Sequence, residues 1–201
     1  MRWLLLLLLL PAITANELFK AIDADNPAMV NIVLKSGKKG LADEPDSEGR
    51  TPLMMAAMNG KHRAFKALLT NGKADALAVN AQGYSVLDVA AQLGQTKIVQ
   101  SLITHGVKLS EMHSDGYTPL HRAVMGGHTD TVKALLNAEV PLDEPTSNGE
   151  TALDLASKLD MAAPSAVGGK RAPPGKSPQL AMKEVLHKFT RSTSLGEKRE
   201  L

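Results

Sequence analysis

There is no cysteine among the 201 residues, which excludes disulfide frameworks, thiolate metal sites and cysteine nucleophiles. Aromatic side chains are scarce, with one Trp, two Tyr and three Phe. Rings therefore cannot fill a large core, and the interior has to be built from Ala, Leu, Val and Met, which suits small helices packed closely. Neither sign of charge dominates, 23 Lys and Arg standing against 21 Asp and Glu, so no global field points to nucleic acid. The length allows one ordinary domain or one short repeat array.

The near balance conceals an asymmetry. Residues 16–160 hold 14 basic and 18 acidic side chains, net −4, whereas residues 161–201 hold 8 and 3, net +5. Long hydrophobic runs are also missing, except at the start. Met1-Arg2-Trp3, the leucines Leu4 to Leu10 and then Pro11 to Ala15 give a positive end, a short apolar run and a small residue at a cleavage point, the pattern of a secretory signal peptide over residues 1–15. The run is well short of the roughly 20 residues that span a hydrocarbon core. No later stretch could span one, so the expectation is no membrane span in the mature chain. At the other end, Lys198-Arg199-Glu200-Leu201 resembles the KDEL signal that retrieves proteins to the endoplasmic reticulum, with Arg199 where an acid is usual.

Between the ends the chain repeats. Gly49-Arg50-Thr51-Pro52-Leu53, Gly83-Tyr84-Ser85-Val86-Leu87, Gly116-Tyr117-Thr118-Pro119-Leu120 and Gly149-Glu150-Thr151-Ala152-Leu153 align, their glycines 34, 33 and 33 residues apart. Each segment is followed by a shared apolar pattern, as in Ala64 to Leu69, Ile98 to Ile103 and Thr131 to Leu136. An earlier unit, Leu18 to Gly37, aligns without gaps. The period and the run Thr118-Pro119-Leu120-His121-Arg122-Ala123 resemble the ankyrin repeat and its T-P-L-H-x-A signature. That resemblance implies an all-α fold, a solenoid of stacked helix-turn-helix units joined by β-hairpin-like turns, with about five units over residues 16–160.

Local chemistry agrees. Thr suits the cap of each first helix and Pro the first turn after it. Gly60, Gly94 and Gly127 fall where the chain must reverse between helices, and Gly37, Gly72 and Gly106 where the second helices end, all places for a left-handed residue. The matching position 139 is Glu, which predicts a different exit from that helix. Residues 161–178, rich in Gly, Pro and Ala, read as a loop inserted in the closing unit, residues 179–189 as its second helix, and residues 190–201 as a polar tail ending in Lys-Arg-Glu-Leu.

No catalytic constellation emerges, and the chain reads as a non-enzyme without cofactor or metal. Two histidines, His105 and His113, lack a third ligand. Gly169 to Ser177 misses the phosphate-loop spacing. The acidic clusters Asp43 to Glu48 and Asp143 to Asn148 lack the alternation of a calcium loop and read as solvated turns.

The ankyrin resemblance implies protein contacts from the hairpin tips and the ends of the first helices. Carried onto this chain, the candidates are Arg50, Met58, Asn59, Gln82, Tyr84, Gln92, Leu93, Asp115, Tyr117, Met125 and Glu150, with Ser47, Glu48, Ala81, Ser114, Ser147 and Asn148 beside them. Tyr84 and Tyr117, with Met58, Leu93 and Met125, would supply an apolar strip on a concave face. The expected function is protein binding in the secretory pathway, in the reticulum lumen, with no nucleic-acid partner. Three alternatives stand beside it: a self-associating scaffold, a secreted protein, and a cytosolic adaptor should the leucine run not work as a signal.

Overall fold

The computed structural model describes residues 15–36, 39–113, 115–162 and 178–196. Residues 1–14, Gly37, Ser114, most of the loop 161–178 and the Lys198 to Leu201 tail lie outside them, so the signal peptide, the exit at Gly37, the contact at Ser114 and the retrieval tail are not described. Among the described residues there are ten helices and one isolated antiparallel bridge, Val79 to Ser85. The fold is an all-α repeat.

In chain order the helices are α1 (Ala15–Asp23), α2 (Pro27–Ser36), α3 (Pro52–Met58), α4 (His62–Thr70), α5 (Val86–Gln92), α6 (Thr96–His105), α7 (Pro119–Met125), α8 (Thr129–Leu136), α9 (Ala152–Ala162) and α10 (Pro178–Gly196). In sequence they follow one another as five helix-turn-helix pairs, and α1 packs on α2, α3 on α4, α7 on α8 and α9 on α10. Four helix ends differ from the sequence pattern: α1 takes in Ala15, α9 runs on to Ala162, and α10 starts at Pro178 and runs on past residue 189. The chain forms two compact units, Met1–Val89 and Ala90–Leu201, with the division inside α5.

The first helices of the later pairs start with a side-chain cap, made in three ways. Thr51 accepts from the Met54 N–H at 3.3 Å. Ser85 and Thr151 are answered by an acid three residues on: Asp88 accepts from the Ser85 N–H and hydroxyl at 2.9 and 2.5 Å, and Asp154 accepts from those of Thr151 at 2.9 and 2.7 Å. Thr118 is answered by His121. These reciprocal boxes satisfy two of the N–H groups that a helix start leaves unpaired.

Between the two helices of the second, third and fourth pairs the chain reverses through Gly60, Gly94 and Gly127, with φ of 64°, 67° and 74°. Asp25 holds that place in the first pair with φ 45°, a conformation that Asp tolerates better than most side chains. Its carboxylate accepts from the Ala64 N–H at 2.8 Å, so the residue that turns the first pair also ties it to the second.

The exits of the second helices depart from the glycine expectation. Gly106 is left-handed, φ 82°, and Glu139 is too, φ 61°. The fourth pair therefore leaves by the same route as the third, with a glutamate bearing the strain. At Gly72 the expectation is overturned: the positive φ passes to Lys73, at 50°. Gly72 itself is crowded, because a Cβ there would lie 2.6 Å from the Leu68 carbonyl and 3.0 Å from Leu34.

In Met1–Val89, α1 packs on α2 and α3, and α2 and α3 both pack on α4. Leu18, Ile22, Val30, Leu53, Phe65 and Leu68 are buried there without measurable exposure. In Ala90–Leu201, α8 packs on α6, α7 and α10, and α9 on α7 and α10. Leu102, Val132, Leu135 and Leu186 make that core. No pair buries its apolar face by itself, so each pair depends on its neighbour for stability.

Leu120 is 1% exposed, and Leu120→Ala is expected to cost about 2–5 kcal/mol as a buried large-to-small change. Thermal unfolding followed by circular dichroism checks it. A melting temperature equal to that of the parent protein would contradict the packing at this position.

Candidate functional site

Four equivalent hairpin tips carry most of the predicted contact residues. In each, a backbone pair closes five residues: Asp46 N–H to Arg50 at 2.9 Å, Asn80 to Tyr84 at 3.0 Å, His113 to Tyr117 at 3.3 Å and Thr146 to Glu150 at 2.8 Å. The glycine before the last residue then takes φ 74°, 82°, 78° and 78° in turn. Side chains reinforce the tips, the first two with two bonds each and the others with one, from Tyr117 N–H to Asp115 and from Glu150 N–H to Thr146. The Asp46 carboxylate accepts from the N–H groups of Glu48 and Arg50, both at 2.9 Å, and Asn80 accepts from those of Gln82 and Tyr84 at 3.0 and 2.9 Å.

Several charged candidates are therefore already engaged. The Arg50 guanidinium pairs with Asp46 at 2.7 Å and Glu48 at 2.8 Å. Asp46 is not a freely solvated turn residue. Burial alone would raise its pKa, and the hydrogen bonds from the Arg50 backbone and side chain more than reverse this, leaving it below the usual carboxylate value. Asp115 behaves alike: burial opposes ionisation, but the Arg122 guanidinium at 2.6 Å and the Tyr117 N–H hold its pKa down. Arg122 is itself buried at 6% exposure, so this pair anchors the third tip to α7. Glu150 pairs with Lys158, and Asn59 donates to Asp23 at 3.2 Å.

The apolar and amide candidates are more available. Met58, Leu93 and Met125 are 36%, 46% and 49% exposed, and Gln82 and Gln92 are exposed. Tyr84 and Tyr117 are half-buried. The Tyr117 ring meets the His121 ring edge-on, with centroids 6.3 Å apart at 80°, so it is part packing and part surface.

Within each unit the fold brings neighbouring tips together. In Met1–Val89, Gly49 lies against Ala81, where a Cβ would be 3.6 Å from its side chain; Arg50 and Gln82 thus belong to adjoining tips. In Ala90–Leu201, Ser147 donates its N–H to the Gly116 carbonyl at 3.3 Å, joining the Tyr117 tip to the Glu150 tip. There too, His128 Nε2 meets the Gln92 carbonyl at 2.9 Å. Its ring lies between Gly94 and Gly126, where any Cβ would overlap it. Leu93 and Met125 each follow or precede a residue of this contact.

Sequence reasoning missed Leu77 and Val79, which are 63% and 53% exposed. A signal existed. Val79 stands four residues before Gly83, where the first and fourth tips carry Pro45 and Pro145, and prolines at that place deny a ladder donor.

Among the described residues no group of three or more His, Asp or Glu is arranged to hold a metal ion, and no helix is long and apolar enough to cross a membrane. The chain matches a family model described as Ankyrin repeats (3 copies), over residues 18–112 and again over residues 98–163. No curated protein matches it.

The buried His121 yields a pH dependence. Burial lowers its pKa from the ordinary 6.5, and the Glu144 backbone offsets this in part. The Thr118 N–H donates to Nδ1 at 3.2 Å, which requires that nitrogen unprotonated and adds to the cost of charging the ring. The unfolded chain takes up the proton at higher pH than the folded one, so stability falls as pH drops from above 6.5 toward the lower folded value. Melting temperatures measured across that window are expected to decline, and His121→Gln to flatten the slope.

Proposed function

The chain belongs to the ankyrin-repeat family, and from that premise we propose that it is a protein-binding module of the secretory pathway, held in the endoplasmic-reticulum lumen. Ankyrin repeats in general mediate protein–protein interaction and form a non-enzymatic family. For this chain, the reading rests on one observation: Leu93 and Met125 are exposed at successive first-helix ends beside the Gln92–His128 contact. Large apolar side chains held in place by a rigid backbone lose little freedom on binding, which favours them as anchors.

The remaining candidates divide by what they already do. Within Ala90–Leu201, Gln92 and Tyr117 join Leu93 and Met125 as contact residues; within Met1–Val89, Met58, Gln82 and Tyr84 are contact residues of that unit. Arg50, Asn59, Asp115 and Glu150 spend their polar groups on internal partners and shape the tips that present the others. In each unit a protein partner is therefore met by apolar and amide side chains. Its affinity depends weakly on salt, because exposed ion pairs contribute little.

The location is supported by the leader pattern of residues 1–15 and by the Lys-Arg-Glu-Leu end. The experiment is expression of the full chain with an internal tag in a eukaryotic cell, with and without residues 198–201. A mature start near Asn16, retention in the reticulum and secretion once the tail is removed are the expected results. Retained Met1 and a cytosolic protein would overturn the location and leave the binding surface to be tested against cytosolic partners.

For binding itself, Leu93→Ser with Met125→Ser is expected to weaken capture of a purified partner on the order of 10-fold, equivalent to about 1.4 kcal/mol. Both side chains are half in solvent, so the melting temperature should hardly move. Unchanged affinity in the double variant would remove these residues from the surface.

A further inference from the structure

Asparagine followed by glycine is the dipeptide most open to spontaneous deamidation, because a glycine N–H reaches the side-chain amide of the preceding residue without hindrance from a Cβ. The chain has three: Asn59-Gly60, Asn71-Gly72 and Asn148-Gly149. They are chemically alike in an unfolded chain, and the fold treats them differently. The Asn59 amide donates to Asp23 at 3.2 Å. The Asn71 amide donates to Asn31 at 3.0 Å, and Gly72 is crowded by the Leu68 carbonyl. Asn148 is exposed and its side chain has no hydrogen bond among the described residues. Gly149 is also exposed, with nothing within 4 Å of the place a Cβ would take.

We propose that Asn148 is a modification site that converts to aspartate and isoaspartate in the folded protein ahead of the other two. The Gly149 main-chain nitrogen attacks Asn148 Cγ, forming the ring C–N bond of a succinimide while the Cγ–Nδ2 bond breaks and ammonia leaves. Water then opens the ring at either carbonyl, giving aspartate or the β-linked isomer. Amide plus water becomes acid plus ammonia, and no oxidant or cofactor is needed.

One feature of the tip opposes the reaction. The Gly149 N–H donates to the Thr146 carbonyl at 2.8 Å, and this bond must open first. It sits at the outer end of a hairpin whose residues 147–149 are all exposed, where local opening is easiest. The corresponding N–H groups of Gly60 and Gly72 bond to carbonyls at the ends of α3 and α4, so freeing them means fraying a packed helix.

The product changes the tip in two ways. It adds a negative charge two residues before Glu150, which already holds Lys158, and the β-linked form lengthens the backbone in a turn that requires φ 78° at Gly149. The proposal does not depend on the binding reading, although Glu150 is common to both.

The test is incubation of the native full chain at mildly alkaline pH, with peptide mapping and isoaspartate detection over time. Deamidation at residue 148 several-fold faster than at residues 59 and 71 is expected, and so is convergence of the three rates when the protein is incubated unfolded. Asn148→Gln should abolish the early signal while leaving the melting transition unchanged. Equal rates at the three sites in the native protein, or a faster rate at 59 or 71, would overturn it.

Discussion

Every element of this fold depends on apolar faces too large for one helix pair to cover. A pair such as α3 and α4 offers Leu53, Met54, Phe65 and Leu68 to burial, and these find cover on α1 and α2 as well as on each other. Polar links follow the same rule. In Met1–Val89, Asp25 reaches Ala64 and Asp43 reaches Asp75; in Ala90–Leu201, Thr96 meets Thr131 at 2.8 Å and Gln92 meets His128. Each joins positions about one period apart, so hydrogen bonds and apolar contacts both set the register of stacking. Structure of this kind propagates by nearest neighbours.

Much of it was legible because periodic packing leaves periodic sequence. The glycine spacing, the Thr118 to Ala123 run and the apolar pattern of the second helices located the pairs, and the turns at Gly60, Gly94 and Gly127 are as those residues imply. The misreadings came where backbone geometry is kept and residue type is not. Glu139 takes the conformation of Gly106, since the hydrogen bonds around a helix exit reward the left-handed residue enough to outweigh its strain. At Gly72 the reverse holds: glycine is needed for space against Leu68 and Leu34, and Lys73 supplies the turn.

The candidate surface was legible by place more than by role. Register alone put Leu93 and Met125 at the ends of first helices, and both are exposed. Register could not say which polar side chains would be consumed internally. That Asp115 belongs to Arg122, seven residues away across a turn, depends on how the tip folds against α7. The same holds for Arg50, whose partners lie within its own tip. Leu77 and Val79 escaped notice because the repeat signature does not extend to their positions, and only a comparison with Pro45 and Pro145 sets them apart.

The ring of His128 fits between Gly94 and Gly126, one from the pair before and one from its own. A design that recombines this array would be tempted to cut at the start of each helix pair, treating the pair as the cassette. The seam denies that choice. A cassette carrying His128 requires a predecessor with a bare backbone at position 94, and because the two residues lie a full period apart, no single-repeat cassette holds both. Shuffled arrays therefore keep this contact only where the repeat placed before His128 also carries a glycine at the position of Gly94.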